Sequence, residues 1–432
     1  MKFKELGLDD QILEAIGYMG FEDATPIQEK AIPVIIAGKD LIACAQTGTG
    51  KTAAFILPTL HRINKSKDTK GTKVLVVCPT RELALQIEKQ IQGFSYFLGI
   101  NSIAVYGGGG GQDFEQQKKA LMNGADIIVA TPGKLISHLN LGYVKFDQIE
   151  SFILDESDRM MDMGFRDDID KIASFLPKNR QTLMFSATMP PKIREMSKAL
   201  LTDPEQISFD ISKPAEGVLQ VVYLAHDRQK INLVTKLIAD KPAYESIIIF
   251  SGTKKNVNEI VRALRRKRFS VEGISSDYDQ SQREAVLSSF KRKETRIIVA
   301  TDVLSRGIDI KDINLVVNFD VPRNAEDYVH RVGRTARAKT TGVAITLINE
   351  KDMYNFHQIE QLIEREIIKL QPPKEMGEGP VWSTGKQKRS FSNHRGKRPN
   401  HKGGKKPYRK NNNSNNRNNN QNSTNRSNNN NG

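Results

Sequence analysis

The chain has 432 residues, more than one ordinary domain core accommodates, so two or three domains are expected. Hydrophobic residues make up 38% and charged residues 27%, which are values typical of globular proteins. No apolar run approaches the roughly 18 residues of a membrane helix. The start, MKFKELGLDD, reaches acidic residues before the apolar stretch of a secretory signal could form. These features argue against a membrane-spanning or secreted protein, and a cytoplasmic protein is expected.

The first half of the chain repeats one pattern, a short apolar run followed by a loop and then a helical pattern. The runs are DLIACA, KVLVVCP, DIIVATP, SFILDE and QTLMFSA. Continuous apolar runs suit strands that are covered on both faces, so we predict a mainly parallel sheet with crossover helices. Residues 1–208 are expected to form this first α/β domain.

A second series of apolar runs begins after a segment that mixes Pro, Gly and charge, which predicts a linker over 209–217. The runs are VLQVVYLA, SIIIFSGT, RIIVATD, LVVNFD and GVAITLI. The sequence therefore predicts a second α/β domain over residues 218–370, built like the first.

The end of the chain carries most of the charge. Residues 383–432 contain seven Lys and six Arg and no acid, so of the net charge of +15 the first 382 residues hold only +2. Asn accounts for 14 of the last 22 residues. This composition lacks the apolar surface needed for a core, and a disordered basic tail is predicted over residues 371–432.

The most specific motif is AQTGTGKT at residues 45–52, between an apolar run and a helical pattern. In a phosphate-binding loop, backbone N–H groups and a helix N-terminus surround phosphate oxygens. Lys51 would balance their charge and the Thr52 hydroxyl would hold Mg²⁺. A glycine-rich turn without a ligand is the alternative, and the flanking strand and helix argue against it.

Two acids follow a predicted strand in ILDESD. The carboxyl ends of parallel strands form the ligand crevice of open α/β sheets. Asp155 would orient Mg²⁺ through water, and Glu156 would polarise the water that attacks a γ-phosphate. Two acids after a strand are, taken alone, more often a solvated loop or a helix cap, but the phosphate loop upstream favours the catalytic interpretation.

The segment TPIQ has two interpretations. Thr25, Pro26 and Gln28 match the N-cap, N1 and N3 positions of a helix with a capping box. The Gln28 amide could equally read an adenine edge while Phe21 supplies a stacking face. The spacing does not separate these roles, and both stay open.

Near the end of the second predicted domain, HRVGRTAR places three arginines at intervals of three residues, Arg331, Arg334 and Arg337. A solvated basic helix edge is the simple interpretation. With a nucleotide site in the first domain, these guanidinium groups could instead act as arginine fingers that stabilise transition-state charge.

Read in order, these motifs resemble the DEAD-box family of ATP-dependent RNA helicases of superfamily 2, over residues 3 to about 350, and bacterial RhlE-type members in particular. The resemblance implies two RecA-like domains that bind ATP and Mg²⁺. It implies nucleotide contacts from the Q motif and the phosphate loop, at Phe21, Thr25, Gln28, Ala45, Gln46, Thr47, Gly48, Thr49, Gly50, Lys51 and Thr52. In the second domain it places Gly307 and Asp309 near the ATP ribose and phosphates, and makes Arg334 and Arg337 the fingers.

The same resemblance implies which residues contact RNA. In the first domain they are Pro79, Thr80, Arg81, Gly107, Gly108, Thr131, Pro132, Gly133 and Lys134. In the second domain they are Ser251, Thr253, Lys254, Thr301 and Arg306, with Gln280 and Arg283 in an adjoining family motif. Coupling between the nucleotide and RNA would pass through Asp158, Ser186, Thr188, His330 and Arg331.

Three positions depart from the family pattern. Ser157 stands where the family name predicts Ala, Lys134 replaces the usual Arg, and Ser275 with Ser276 replaces a His-Gly pair. Ser157 leaves both acids and Asp158 in place, so ATP hydrolysis is expected to survive. Lys134 keeps the charge but loses bidentate phosphate geometry, which would weaken RNA binding slightly.

The sequence thus predicts RNA-stimulated ATP hydrolysis coupled to local, non-processive unwinding of RNA duplexes or remodelling of RNA–protein complexes. RNA would be bound through its backbone, largely independent of sequence. Precursors of ribosomes and RNA-decay complexes are partners compatible with these motifs. Two alternatives are an RNA chaperone or clamp with weak ATPase activity, and a DNA-directed helicase of the same superfamily.

Overall fold

The computed structural model describes residues 1–45, 48–66, 71–108, 111–209, 218–239, 241–275, 277–302, 313–322, 324–335 and 342–384. Within these ranges no helix is both long and apolar enough to cross a bilayer. Residues 385–432, most of the predicted tail, lie outside them, as do residues 210–217 of the predicted linker.

The first half of the chain alternates strands and helices after a short 3₁₀ helix at Phe3–Leu6. The strands are β1 (Leu41–Cys44), β2 (Val74–Val77), β3 (Ser102–Val105), β4 (Ile127–Ala130), β5 (Ser151–Leu154), β6 (Gln181–Ser186) and β7 (Glu205–Ser208). The helices are α1 (Asp10–Tyr18), α2 (Pro26–Ile36), α3 (Lys51–Lys65), α4 (Arg81–Phe94), α5 (Gly111–Asn123), α6 (Pro132–Leu139), α7 (Ser157–Asp162), α8 (Arg166–Ser174) and α9 (Pro191–Leu200).

The second half follows the same alternation. Its strands are β8 (Val218–Leu224), β9 (Ile247–Phe250), β10 (Val271–Ile274), β11 (Ile297–Ala300), β12 (Leu315–Asn318), β13 (Gly342–Ile348) and β14 (Lys369–Leu370). Its helices are α10 (Asp227–Ala239), α11 (Lys254–Arg266), α12 (Gln280–Lys291), α13 (Ala325–Val332) and α14 (Met353–Leu362).

The strands form two seven-stranded sheets in which every pairing is parallel. The first sheet has the order β3-β4-β2-β5-β6-β1-β7, and the second has β10-β11-β9-β12-β13-β8-β14. Adding seven to each strand number of the first sheet gives the second, so the two sheets share one topology. The predicted fold class, two α/β sheets flanked by helices, is confirmed.

Both faces of the sheets are buried, as continuous apolar runs require. In β1, Leu41 and Ala43 belong to the core on one face, while Ile42 belongs to the core on the other. The local sequence also sets the helix starts, because Thr80 and Thr253 cap α4 and α11 by accepting hydrogen bonds from backbone N–H groups in the first turn.

The start predicted for the tail was too early. A 3₁₀ helix occupies Lys374–Met376, and the Trp382 ring meets the Phe356 ring edge-on at 6.3 Å between centroids. The Gln229 side-chain amide donates to the carbonyl oxygen of Met376 at 2.8 Å. Residues 371–384 therefore belong to the described fold, because a few tertiary contacts outweigh their unfavourable composition.

Candidate functional site

Three of the predicted motifs lie at neighbouring strand ends of the first sheet. The phosphate loop follows β1 and the acidic segment follows β5. The segment SAT (residues 186–188), which holds the predicted coupling residues Ser186 and Thr188, begins at the end of β6, and β6 lies between β1 and β5 in the sheet. Carboxyl ends of parallel strands share one edge of a sheet, so the three segments meet although the phosphate loop and the SAT segment are 134 residues apart, from 52 to 186.

The phosphate loop depends on two glycines with left-handed backbone, Gly48 at φ 85° and Gly50 at φ 90°. A Cβ on Gly50 would displace Nε2 of Gln28, and the positive φ would strain any residue that has a Cβ. Lys51 is buried, and its ammonium donates to the carbonyl oxygen of Ala45 at 2.7 Å. Thr49 and Thr52 are half-buried beside it, whereas Gln46 and Thr47 lie outside the described residues.

The structure ties the TPIQ segment to this loop. Gln28 is buried, its side-chain oxygen accepts from the Thr25 backbone N–H at 2.9 Å, and its Nε2 donates to the carbonyl oxygen of Gly50 at 3.0 Å. The predicted helix start is therefore formed, with Thr25 at the N-cap, Pro26 at N1 and Gln28 at N3. Among the described residues the buried Thr25 hydroxyl has no hydrogen-bond partner, which suits a polar ligand beside Gly50. Phe21 is 37% exposed and available for stacking.

The two acids of the DESD segment are buried. Asp155 accepts a hydrogen bond from the Glu156 backbone N–H at 2.9 Å, and Glu156 Oε2 lies 3.4 Å from Nη1 of Arg159. Glu156 has a φ of 51°, a left-handed conformation that is rare for a residue with a Cβ and that recurs at functional sites. Burial raises the pKa of Asp155 to about 6, the Lys51 charge opposes this rise, and Glu156 adds to it.

Hydrogen bonds link the acidic segment to the SAT segment. The Thr188 hydroxyl donates to Asp158 at 3.2 Å, and the Ser186 hydroxyl donates to the carbonyl oxygen of Thr188 at 2.7 Å. Ser157, which departs from the family pattern, is fully buried and donates to the carbonyl oxygen of Phe185 at 3.1 Å. The departure thus adds a bond between the acidic segment and β6.

Most of the RNA contacts predicted in the first sheet border one shallow groove of about 400 Å³. The residues that line it are Pro79, Arg81, Gly107, Thr131, Gly133, Lys134, Ser137 and Phe165. The sequence did not single out Ser137 or Phe165, although Ser137 lies one helical turn after Gly133. Thr80 caps α4, Gly108 has a φ of 86°, and Pro132 is the buried first residue of α6.

In the second sheet the described residues predicted to contact RNA make contacts within the protein, and one of them bonds Asp320. Ser251 is fully buried, and its hydroxyl donates to Oδ2 of Asp320 at 2.6 Å, so the structure uses it inside the protein rather than at the surface. Thr253 caps α11, and the Lys254 ammonium pairs with Asp277. That Ser251 contacts RNA stays a prediction. In this structure its hydroxyl bonds the Asp320 carboxylate, 69 residues later in the chain.

The remaining predicted residues of the second sheet are partly described. Thr301 follows β11, and His330 and Arg331 lie buried in α13, followed by the half-buried Arg334. Arg306, Gly307, Asp309 and Arg337 lie outside the described residues.

Two reciprocal ion pairs connect the halves of the chain. Arg81 Nη2 lies 2.9 Å from Oε1 of Glu284, and Arg283 Nη1 lies 3.9 Å from Oε1 of Glu82. Each half contributes an Arg-Glu dipeptide from the first turn of a helix, α4 or α12. The segment of Arg283 resembled a family motif in the sequence, but nothing there indicated its partner.

Fold and site together define a nucleotide-binding protein of two RecA-like sheets, in which a phosphate loop and paired acids share one edge. The family model of the DEAD/DEAH box helicase matches residues 25–196, and that of the helicase conserved C-terminal domain matches residues 229–339. The chain belongs to the DEAD-box family and is an ATP-dependent RNA helicase.

Similar proteins agree with this assignment. The DEAD-box ATP-dependent RNA helicase CshA of Geobacillus kaustophilus is 41% identical over 372 residues, 86% of this chain and 78% of that protein. CshA of Listeria monocytogenes is 41% identical over 373 residues, 86% of this chain and 71% of that protein. Resemblance to RhlE-type members in particular stays a prediction.

Two solved structures share the fold across both sheets. Dbp5 of S. cerevisiae bound to RNA and ADP BeF3 superposes with a TM-score of 0.78 at 29% identity, covering 85% of this chain and 95% of that one. Mss116p bound to single-stranded RNA and AMP-PNP superposes with a TM-score of 0.76 at 30% identity, covering 87% and 80%.

Proposed function

We propose that this helicase couples RNA-stimulated ATP hydrolysis to local, non-processive separation of RNA duplexes or to remodelling of RNA–protein complexes. The observation that carries the proposal is the hydrogen bond from Thr188 to Asp158, which joins the acidic segment to the strand end beside it. Hydrolysis of the bound nucleotide would alter the acidic segment, and this hydrogen bond would transmit that conformational change to the end of β6.

In this proposal the chain supplies the chemistry from both halves. Lys51 balances the charge of the β- and γ-phosphates, and the amide of Gln28 and the ring of Phe21 contact adenine. Glu156 holds and polarises the attacking water, while Arg334 and Arg337 stabilise charge on the transferred phosphoryl group. The left-handed backbone at Glu156 supports this role, because such a conformation costs free energy and is found mainly at functional sites.

Mg²⁺ is the metal that this donor set fits. No group of three or more His, Cys, Asp or Glu side chains suited to a metal occurs among the described residues. Mg²⁺ commonly takes one or two carboxylates and completes its shell with water and substrate phosphates. The Thr52 hydroxyl and the Asp155 carboxylate would hold it, Asp155 through water. When bound, the ion neutralises phosphate charge.

RNA would lie in the groove that contains Arg81 and Lys134 and would continue to Thr253, Lys254, Thr301 and Arg306 of the second half. Contacts to phosphates and 2′-hydroxyls make such binding largely independent of sequence. The resemblance to nucleotide- and RNA-bound Dbp5 across both sheets supports a closed arrangement, and the two ion pairs between α4 and α12 are contacts that such an arrangement brings together.

Glu156→Gln tests the catalytic role. Removal of a general base typically costs about 10² to 10⁴ in rate, so RNA-stimulated phosphate release should fall by at least about 100-fold while a fluorescent ATP analogue still binds. Glu195→Gln, a change at an exposed residue in the same half, serves as the control. Wild-type turnover in Glu156→Gln would remove Glu156 from this role.

A strand-separation assay distinguishes the proposal from its alternatives. Short RNA duplexes should separate in the presence of ATP, and RNA should stimulate hydrolysis more than DNA does. Separation without hydrolysis would favour a chaperone or clamp, and equal stimulation by DNA would favour a DNA-directed enzyme.

The basic tail is proposed to add salt-sensitive RNA affinity. Each phosphate contact contributes a slope of roughly −0.7 to the dependence of log affinity on log salt for single strands. Deletion of residues 385–432 should therefore reduce both affinity at low salt and this slope. Unchanged values would leave the tail a role in solubility. Crosslinking in cells followed by sequencing of the bound RNA would then show whether ribosomal precursors or decaying messages are the targets.

A further inference from the structure

The two cations of the first-sheet groove each lie against an aromatic ring. The Lys134 ammonium is 4.5 Å from the centroid of Phe114, and the Arg81 guanidinium carbon is 4.3 Å from the centroid of Tyr106. Both distances are within the roughly 6 Å over which a ring face attracts a cation. Neither Phe114 nor Tyr106 belongs to a motif that the sequence singled out.

The rings are connected through two buried polar side chains. Phe114 stacks on His138 with centroids 4.8 Å apart and planes at 14°. Nε2 of His138 lies 3.2 Å from Oε1 of Gln117, and Nε2 of Gln117 donates to the carbonyl oxygen of Tyr106 at 3.3 Å. An unbroken series of contacts thus runs from Lys134 through Phe114, His138 and Gln117 to Tyr106.

The hydrogen bonds determine where the His138 proton lies. Because the Gln117 amide nitrogen donates to Tyr106, its oxygen faces His138, and Nε2 of His138 must be the donor. Nδ1 then accepts from the Tyr143 hydroxyl. Burial, with a smaller effect of the Lys134 charge, lowers the pKa of His138 to about 4, so the imidazole is neutral at neutral pH.

A neutral imidazole suits the stack. A charged one would place a second positive charge against the ring that attracts Lys134. Full burial of His138 keeps water away from the ring and so favours the neutral form.

We propose that Tyr106, Phe114, Gln117, His138 and Tyr143, the ring network, position Lys134 and Arg81 to bind RNA phosphates. Lysine has a flexible four-carbon stem and lacks the rigid fork of arginine, so it gains more from an external support. The ring network would then offset part of the change from Arg to Lys at position 134. This inference rests on the proposed role of Lys134 and Arg81 in binding RNA.

Phe114→Leu in the full chain tests the inference, because it removes the ring and keeps an apolar side chain. Loss of one exposed cation–π contact corresponds to an about threefold weaker affinity. Fluorescence anisotropy with oligouridylate and AMP-PNP should show this loss. The KM for RNA in the ATPase assay should rise while kcat at saturating RNA is unchanged, and Phe114→Tyr should restore wild-type affinity.

A double-mutant cycle separates positioning from general damage. If Phe114 acts through Lys134, Phe114→Leu should weaken RNA binding no further once Lys134→Ala is present. Additive losses would overturn the inference. Should the leucine variant lower the melting temperature, Phe114→Met, whose flexible side chain adapts to irregular space, repeats the cycle.

Trp382→Leu is the matched control, because it removes the ring beneath Lys369 in the second half, 4.6 Å from that ammonium. It should leave RNA affinity unchanged. If Lys134→Ala and Arg81→Ala weaken RNA binding but Phe114→Leu does not, the ring network has no positioning role and the proposed RNA groove stands. If neither cation variant weakens binding, the proposed groove itself fails and the inference with it.

Discussion

Both halves of the chain bury a cationic side chain near the carboxyl ends of their strands, but they surround it differently. Lys51 in the first half donates to one backbone carbonyl oxygen, that of Ala45. Arg331 in the second half is fully buried beneath the ring of Phe250. It donates to three oxygen atoms, from Asp302 (2.6 Å), Asn318 (3.3 Å) and the backbone of Asp320 (2.7 Å).

The difference teaches how one topology serves two purposes. A buried charge is tolerated when hydrogen bonds and opposite charge compensate it, and the fold itself provides these for Arg331. Among the described residues, fewer hydrogen-bond acceptors surround Lys51, which suits a side chain that would meet phosphate oxygens. We therefore expect Lys51 to matter mainly for activity and Arg331 mainly for stability.

Lys51→Ala should give the largest effect, a loss of ATP hydrolysis. If it unfolded the protein instead, the contrast between Lys51 and Arg331 would fail. Loss of a group that stabilises transition-state charge costs about 10² to 10³ in rate, so RNA-stimulated hydrolysis should fall by that factor. The melting temperature should change little, because Asp155 can take up a proton when the ammonium is gone. Lys39→Ala, which removes an exposed pair with Glu205, is the control and should alter neither quantity.

Arg331→Met should show the opposite profile. Removal of one partner from a buried ion pair costs about 3 kcal/mol, here toward the low end because Asp302 is 41% exposed and can be hydrated. Urea denaturation followed by far-UV circular dichroism measures the loss. A variant as stable as the wild type would show that the three hydrogen bonds of Arg331 contribute nothing net.

His138 extends the comparison to pH. It is a buried titratable group of the first half that should stay neutral, so it should make the stability of the protein depend on pH. With a pKa lowered to about 4 in the folded state against 6.5 unfolded, the unfolded chain binds the proton first as pH falls. The stabilisation is fully present above about pH 6.5 and declines toward pH 4, by at most about 1.4 kcal/mol per pH unit. The difference between the unfolding free energies of wild type and His138→Gln should follow this curve, and a pH-independent difference would contradict it.

Ser157→Ala should have the smallest effect. It restores the family residue and removes the hydrogen bond to the Phe185 carbonyl oxygen, which is worth about 1 kcal/mol. A small loss of stability with catalysis retained is expected, measured by denaturation and ATPase assays on the same preparation. Increased stability of the variant would show that the Ser157 hydroxyl destabilises the folded protein.

Local patterns predicted the two-sheet fold because each buried strand is encoded in a few consecutive residues. The apolar runs that contain β1, β2 and β4 predict strands covered on both faces. Gly48 and Gly50 indicate the phosphate loop that follows β1. The motifs also predicted the family, because several segments that resemble one family occur in the order typical of it.

The structure added what depends on residues far apart. Ser251 turns inward because Asp320 accepts a hydrogen bond from its hydroxyl, and the tail begins later than predicted because Gln229 and Phe356 contact residues beyond 371. None of these partners is marked by local composition.

By itself, then, the sequence indicated five of the seven strands in each sheet, the phosphate loop, the acids and the family, but not β3, β7, β10 or β14. Hydrophobic periodicity and backbone requirements act over a few residues, which is why they can be read directly. Only the tertiary structure decided that Arg81 meets both Glu284, 203 residues away, and the ring of Tyr106. Such pairings arise from how packed elements bring side chains together, and spacing along the chain does not encode them.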